Sequence, residues 1–242
     1  MGELHLEVLM ERIFREYGIR VNAGKPQVAY KETITFPVES EGKFIRQSGG
    51  KGQYGHVWLK IEPGERGSGF AFRDQMRGSA VPREFVPAVE AGVKSALQSG
   101  GSSGYPVIDA KVTLYDGSYH EVDSSDMAFK MAAFMAVRDG INKAKPIILE
   151  PIMEVEITTP NEFLGDVIGD LNSRRAHIEG IESRDEISAV RCLVPLAEMF
   201  GFAGDLRSVS QGRASYTMCF HRYEKLPEDL ADQIVAKAGR TR

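Results

Sequence analysis

The sequence predicts an α+β protein built from more than one domain. The chain has 242 residues, enough for two domains of ordinary size, and 42% of them are apolar. Between residues 150 and 225 the hydrophobic pattern follows the order β-α-β-β-α-β, which is the split βαβ arrangement of ferredoxin-like domains. Before residue 150, strand and helix patterns are mixed around two glycine-rich loops. These two features together predict the α+β class.

The first 36 residues predict one helix followed by two short strands. Apolar residues over Leu4–Phe14 recur near the helical period, and Gly18 stands where a left-handed residue would end the helix. Strand patterns follow at Ile19–Val21 and Val28–Ile34, on either side of a turn at Asn22–Pro26. One helix and two strands cannot form a core alone. We therefore expect the second half of a small α+β domain, and a chain whose front half has been removed.

Residues 37–149 predict three strands and two helices. The strands are expected at Val38–Ile45, His56–Ile61 and Tyr105–Tyr115, and the helices at Arg83–Gln98 and Ser124–Asp139. Asp123 is expected to cap the second helix, with Asp126 as the acidic arm of a capping box, and Gly140 to end it. The large apolar side chains predict its buried face, which comprises Met127, Met131, Phe134 and Met135.

Residues 150–242 carry the split βαβ pattern and a last helix. The strands are expected around Ile152–Ile157 and at Ile178–Arg184, Ala189–Leu196 and Ala214–Tyr223, and the helices at Leu164–Leu171, Ala197–Ser210 and Leu226–Ala238. Pro151 marks a linker before this pattern.

Composition and charge exclude several classes of protein. The net charge of −4 excludes a globally basic nucleic-acid coat, so any surface that binds nucleic acid must be local. Cys192 and Cys219 fall within predicted strands, where we expect them to be buried small hydrophobes in a protein of a reducing compartment. No apolar run approaches the roughly 20 residues of a membrane span, and the start has no signal-peptide pattern. We therefore expect no membrane partner and a cytoplasmic location.

The segment Gly50–Val57 matches the pattern G-x-G-x-x-G-x-V of nucleotide-binding loops. The context argues against that function, because a strand pattern follows the glycines instead of the helix that would bind pyrophosphate. From Gly42 to Ile61 there are four basic residues and no acid, and the loop offers glycine backbone, an amide at Gln53 and a stacking ring at Tyr54. This mixture suits contact with an RNA backbone and exposed bases, although a flexible hairpin turn is the plainer interpretation.

The sequence predicts neither a metal site nor a catalytic site. The five histidines are far apart, and no cysteine has zinc spacing. There is no nucleophile elbow, no phosphate-binding P-loop and no paired acid and base. His120 lies on a tight loop after the Asp116–Gly117 turn, where it either forms hydrogen bonds at an exposed loop or packs on Tyr119.

Four arginines near two predicted helix ends form a second candidate RNA-facing set. They are Arg174, Arg175, Arg207 and Arg213. Basic residues at helix C-termini are also favoured by the helix dipole alone, so both interpretations stay open here.

Seven stretches of the chain resemble the bacterial elongation factor G family. They are Met1–Glu7, Gly24–Tyr30, Gln47–Val57, Tyr115–Ser125, Leu149–Met153, Gly165–Leu171 and Gly212–Met218. The first two are similar to the later part of domain III, the next two to the two tip loops of domain IV, and the last three to domain V. The resemblance runs in order over nearly the whole chain.

The resemblance implies three domains and their folds. Residues 1–36 would be the second half of a ferredoxin-like domain III, and residues 37–149 a domain IV with the fold of the second domain of ribosomal protein S5. Residues 150–242 would be a ferredoxin-like domain V with a C-terminal helix. The implied RNA-binding residues are Ser48, Gly49, Gly50, Lys51, Gly52, Gln53, Tyr54, Ser118, Tyr119 and His120.

The resemblance also implies partners and a mechanism. Domain IV would enter the decoding region and meet the tRNA–mRNA duplex during its movement from the A to the P site, while domain V would lie on large-subunit RNA. GTP and Mg²⁺ would bind to domains that precede domain III in the family, so this chain is expected to hold no cofactor, to have no enzymatic activity and to be a monomer. The alternative is a fragment of a paralogous translational GTPase with a role in ribosome recycling or protection.

Overall fold

The computed structural model describes residues 3–21, 27–47, 52–76, 78, 80–101 and 103–239. The chain forms two compact units, one of residues 30–149 with 225–242 and one of residues 1–29 with 150–224. We call them the 30–149 unit and the 150–224 unit. None of the helices in the described ranges is long and apolar enough to cross a membrane.

The described ranges contain six α-helices and nine strands. In chain order they are α1 (Glu3–Tyr17), β1 (Lys31–Thr33), β2 (Val38–Arg46), β3 (Gln53–Pro63), β4 (Phe70–Asp74), α2 (Val86–Ser99), β5 (Ala110–Ser118), α3 (Asp126–Lys143), β6 (Ile147–Pro160), α4 (Leu164–Ser173), β7 (His177–Arg184), β8 (Ile187–Pro195), α5 (Phe202–Val209), β9 (Ser215–Lys225) and α6 (Glu228–Gly239). Short 3₁₀ helices precede α2, α4 and α5.

The 30–149 unit is a four-stranded sheet with two helices. The strand order is β2-β3-β5-β4, in which β4 and β5 are parallel and the other pairs are antiparallel. Helix α3 packs against β2 and β3, and α2 packs against α3. The core between them is fully buried and includes Val57, Leu59, Leu114, Phe129 and Ile141. β1 pairs with the first three residues of β6 at the edge of this unit.

Helix α3 buries a face that differs in part from the predicted one, of which Phe134 packs against the core. Its buried residues are mainly small ones, including Ala128, Ala132 and Ala136, whereas Met127 and Met135 are 61% and 45% exposed. The reason is the short distance between α3 and the sheet. A Cβ atom on Gly42 of β2 would lie 2.0 Å from the carbonyl oxygen of Ala132. Methionine side chains cannot fit between backbones that are so close, so the buried face is built from alanine.

The ends of α3 also differ from the prediction. Ser125 caps the helix, and its Oγ accepts a hydrogen bond from the backbone N–H of Ala128, so the predicted cap at Asp123 is wrong. Gly140 does not end the helix, which continues to Lys143. A Cβ atom on Gly140 would lie 2.4 Å from Cδ1 of Ile61, so this glycine serves close packing.

Other strands differ in extent from the predictions. Ile19–Val21 forms no strand, and Val28–Ile34 contains only the three-residue β1. The turn predicted at Asn22–Pro26 lies outside the described residues. β4 was not predicted, since its five residues Phe70–Asp74 offer too short a pattern to detect. The helix α1 and its end at Gly18, which has a φ of +68°, are confirmed.

The 150–224 unit has the predicted β-α-β-β-α-β order, formed by β6, α4, β7, β8, α5 and β9. The strand order β9-β6-β8-β7 is that of a ferredoxin-like sheet, and its core includes Val155, Ile157, Leu171 and Phe202. The predicted helix over Ala197–Ser210 is interrupted at Gly201, which has a φ of +79°.

The two cysteines of the 150–224 unit have different environments. Cys192 is fully buried, and burial raises the pKa of its thiol to about 11. Cys219 is exposed on β9, so the prediction that both cysteines are buried is wrong for Cys219. A strand of a single sheet has one face away from the core, and Cys219 lies on that face, beside Glu154.

We expect Gly55→Ala to destabilise the 30–149 unit by about 1–3 kcal/mol, the range typical of overpacking. The added Cβ would lie 2.4 Å from the carbonyl carbon of Ala128, which is helix backbone that cannot rotate away. The measurement is urea unfolding, followed by circular dichroism and by fluorescence of Trp58, the only tryptophan. Gly180→Ala in β7 is the control, because no atom lies within 4 Å of its added Cβ. Equal stability of both variants would contradict the close contact between α3 and β3.

Candidate nucleic-acid interface

The described residues of two loops that are far apart in sequence lie together at one end of the 30–149 unit. The first loop (residues 47–52) joins β2 to β3, and the second loop (residues 119–125) joins β5 to α3. The N–H of Tyr54, at the start of β3, donates to the carbonyl oxygen of Asp123 at 2.8 Å, and Tyr54 forms a β-bridge with Ser124. We call the two loops the loop pair. Of the predicted RNA-binding residues, Ser48, Gly49, Gly50 and Lys51 lie outside the described residues.

Gly52 connects the two loops through its backbone. Its N–H donates to Oδ1 of Asp123 at 3.0 Å, and a Cβ at this position would lie 2.9 Å from Cγ of Asp123. Gly52 is therefore buried, and its amide is used inside the protein instead of being open to a partner. Sequence reasoning missed the role of Asp123 in the loop pair. Nothing in the local pattern signals a contact across 71 residues.

Gln53 is held by the residue that caps α3. Its Oε1 accepts a hydrogen bond from Oγ of Ser125, and the same Oγ accepts from the N–H of Ala128. This contact fixes the orientation of the Gln53 amide, because only its oxygen faces Ser125. Its NH₂ group has no hydrogen-bond partner within the described part of the chain. Gln53 thus offers two oriented donors at the loop pair.

His120 is exposed on the second loop, with 56% of its side chain accessible. The N–H groups of Val122 and Asp123 donate to its Nδ1 at 3.4 and 3.3 Å. Oδ2 of Asp123 also lies 3.5 Å from Nδ1, but the two N–H donors are closer. In the neutral ring, Nε2 therefore carries the hydrogen, and it has no partner among the described residues. The ring lies 6.3 Å from the Tyr54 ring, centroid to centroid. Of the two interpretations of His120, these contacts favour the hydrogen-bonding one, with Tyr54 as its ring neighbour instead of Tyr119.

Tyr54 and Ser118 lie on the strands that border the loop pair, and Tyr119 is the first residue of the second loop. The hydroxyl of Tyr54 forms a hydrogen bond of 2.7 Å with Oγ of Ser118, which ends β5. Tyr119 follows and is 43% exposed, so its ring is accessible to a partner. The structure therefore brings together every described residue of the predicted set at one end of the unit.

The charge near the loop pair is mixed. Exposed bases on β2 are Lys43 and Arg46, whereas Asp116, Glu121 and Asp126 are exposed acids on or beside the second loop. Carboxylates accept hydrogen bonds and repel phosphate, so this end suits ribose hydroxyls and base edges better than a bare phosphate backbone. No group of three or more side chains in the described ranges could hold a metal ion.

The arginine set of the 150–224 unit is mostly engaged inside the protein. Arg174 forms hydrogen bonds with Asp170, Asp205 and the carbonyl oxygen of Glu198, and it stacks on the Phe202 ring at 5.2 Å. Arg175 pairs with buried Glu150, and Arg213 pairs with Glu162. Arg207 is exposed. These contacts favour a structural role for three of the four arginines over the RNA-facing one.

We expect Asp123→Ala to release the first loop from the second. A hydrogen bond to a charged group contributes about 1.5–3 kcal/mol, so exchange of the Gly52 amide hydrogen with solvent should accelerate by at least about tenfold. Hydrogen exchange measured by NMR tests this. Asp116→Ala is the control, since its carboxylate accepts from the adjacent Gly117 N–H and does not bond Gly52. Unchanged exchange at Gly52 in Asp123→Ala would contradict the role of Asp123.

Comparison with known proteins gives two family matches. The model of elongation factor G domain IV matches residues 26–145, and the model of the elongation factor G C-terminus matches residues 147–234. A crystal structure of a protein from Thermus thermophilus is similar, with a TM-score of 0.92 and 40% sequence identity over 99% of this chain. This chain spans 36% of the length of that one. The two matches confirm the predicted α+β fold class, and the chain belongs to the elongation factor G family.

Proposed function

We propose that this chain is the ribosome-contacting part of a factor that promotes movement of tRNA and mRNA from the A to the P site. The chain is a member of a translation elongation factor family, which supports a role in protein synthesis. The observation that carries the proposal is the loop pair itself. Gln53, which directly follows the first loop, and His120 on the second loop are distant in sequence, yet both present unpaired N–H donors at the same end of the unit.

The loop pair suits a partner whose sequence varies. A translocating factor meets every codon, so its contacts must not depend on base identity. Amide and imidazole donors can bond ribose hydroxyls and the acceptors that all base pairs share in the minor groove. Tyr119 adds an exposed ring that could stack on any base. A set of bidentate base readers would instead impose specificity.

The remaining partners follow from the same proposal. The C-terminal domain would lie on large-subunit RNA, and GTP with Mg²⁺ would bind to domains of the factor that this chain does not contain. The chain would therefore be a monomer without catalytic activity, acting in the cytoplasm on the ribosome. A recycling or protection factor is the second candidate. The stretches that carry Gln53 and His120 resemble the tip loops of the translocating factor, which favours a translocating factor over a recycling or protection factor.

We expect the chain to bind ribosomes weakly, with an affinity that falls as salt rises, and to hydrolyse no GTP. Contacts with phosphate release counterions, so raising salt from 50 to 200 mM should weaken binding by roughly tenfold or more. Sedimentation with ribosomes measures binding, and phosphate release measures turnover. Intrinsic GTP hydrolysis by the pure chain would contradict the assignment of catalysis to other domains. Salt-independent or absent binding would contradict the RNA contact.

We expect His120→Ala or Gln53→Ala, in a factor that carries the GTPase domain ahead of this chain, to slow tRNA movement by about tenfold. This is the effect of losing about 1.4 kcal/mol, the order of one hydrogen bond, in the transition state. Ribosome-stimulated GTP hydrolysis should stay nearly unchanged. Time-resolved fluorescence of labelled tRNA measures the movement. Gln75→Ala and His177→Ala, at exposed positions that belong to neither loop, are the matched controls. Equal loss of both activities would contradict a role for the loop pair in tRNA movement.

A further inference from the structure

A chain of four polar side chains runs from the sheet of the 30–149 unit to the loop pair. Oε1 of Glu41 on β2 lies 2.9 Å from Nε2 of His56 on β3, and Nδ1 of His56 lies 2.7 Å from Oγ of Ser118. The same Oγ lies 2.7 Å from the hydroxyl of Tyr54. The His56 side chain is only 15% exposed, so its two ring nitrogens depend on these partners for their hydrogen bonds.

The Glu41 carboxylate at one end determines the direction of every hydrogen bond among these four side chains. The Glu41 carboxylate can only accept, so Nε2 of His56 must carry a hydrogen and donate it. In the neutral ring Nδ1 is then an acceptor, which takes its hydrogen bond from the Ser118 hydroxyl. The Ser118 oxygen in turn accepts from the Tyr54 hydroxyl. Tyr54 thus donates a hydrogen bond to Ser118, Ser118 donates to His56, and His56 donates to Glu41.

The other end of this hydrogen-bonded series, at Ser118 and Tyr54, lies beside the loop pair. Ser118 is the last residue before the second loop, and Tyr54 is the second residue after the first loop. Tyr54 also holds Asp123 through its backbone N–H and lies beside the His120 ring. The rotamers of Tyr54 and Ser118 therefore link His56 to both loops, although His56 itself belongs to neither.

We propose that His56 is a positioning residue, whose Nε2–H tautomer, selected by Glu41, orients Tyr54 and Ser118 and thereby sets the geometry of the loop pair. The consequence for tRNA movement rests on the proposed function, whereas the tautomer and the geometry do not.

Several charged and polar groups face His56 from the strands around it. On β2 these are Glu41 and Lys43, the latter directly opposite His56 in the register. On β3 the Trp58 ring lies 6.5 Å from the imidazole, centroid to centroid. On β5, Ser118 is opposite His56 and Asp116 is opposite Trp58. Glu41 is the carboxylate in this group that contacts the ring, which is why it selects the tautomer.

The test is ¹⁵N NMR of the histidine side chains in the full 242-residue chain. In the wild type, neutral His56 should show the Nε2–H tautomer. Glu41→Gln should reduce the population of this tautomer, since the new amide can donate to Nε2 as well as accept from it, and should shift the backbone amide signals of Tyr54, Ser118 and His120. Glu39→Gln is the matched control. It lies on the same strand face and bonds Tyr115 instead, and it should leave the tautomer and these signals unchanged.

A second variant separates positioning from general disturbance. In a Ser118→Ala background, Glu41→Gln should still change the His56 tautomer but should no longer shift the amide signals of Tyr54 and His120. A wild-type Nδ1–H tautomer would overturn the inference. So would loop signals that respond equally to Glu41→Gln and Glu39→Gln, or a response that survives Ser118→Ala. Failure of the chain to bind ribosomes would overturn the proposed function and leave these results as they are.

Discussion

The close contact between α3 and the sheet of the 30–149 unit is the constraint on which the loop pair depends. Gly42 and Gly55 remove side chains where the helix backbone crosses β2 and β3, and the alanines of α3 face them. With the helix this close, its first residue, Asp126, lies beside the start of β3. The second loop, which leads into α3, must therefore pass Gly52, the last residue of the first loop. The packing of small residues thus determines where the functional residues meet.

Packing alone brings the two loops side by side but does not fix their relative positions. Polar contacts between them do. Asp123 binds the Gly52 amide, and Ser125 joins the cap of α3 to the Gln53 side chain. Each of these groups is satisfied within the protein, which removes the cost of burying it. The NH₂ of Gln53 and the Nε2–H of His120 are donors that remain unpaired among the described residues. A preorganised pair of donors loses little entropy on binding.

The sequence predicted the elements that follow from local hydrophobic periodicity. It did not predict the features that depend on close contact between backbones. The order of elements in the 150–224 unit was predictable because Val155 and Ile157, like Val190 and Cys192, alternate with polar residues in short strands. The buried face of α3 was not. Periodicity favours large apolar residues such as Met127, whereas a backbone at van der Waals contact requires alanine. The loop residues were found by their resemblance to a family, but the contacts of Asp123 and His56 were not, since their partners lie 71 and 62 residues away.

The distribution of charge bears on how the loop pair would act on RNA. Among the described residues near the loop pair, the bases Lys43 and Arg46 on β2 are matched by acids on and beside the second loop, which weakens their attraction to phosphate. A contact that must form and dissolve at every codon benefits from weak affinity, because tight binding to the starting state would raise the barrier to movement. The affinity for the ribosome would then have to come from other surfaces of the factor. The loop pair would then act through the orientation of Gln53, His120 and Tyr54 towards the RNA, and would add little to the affinity.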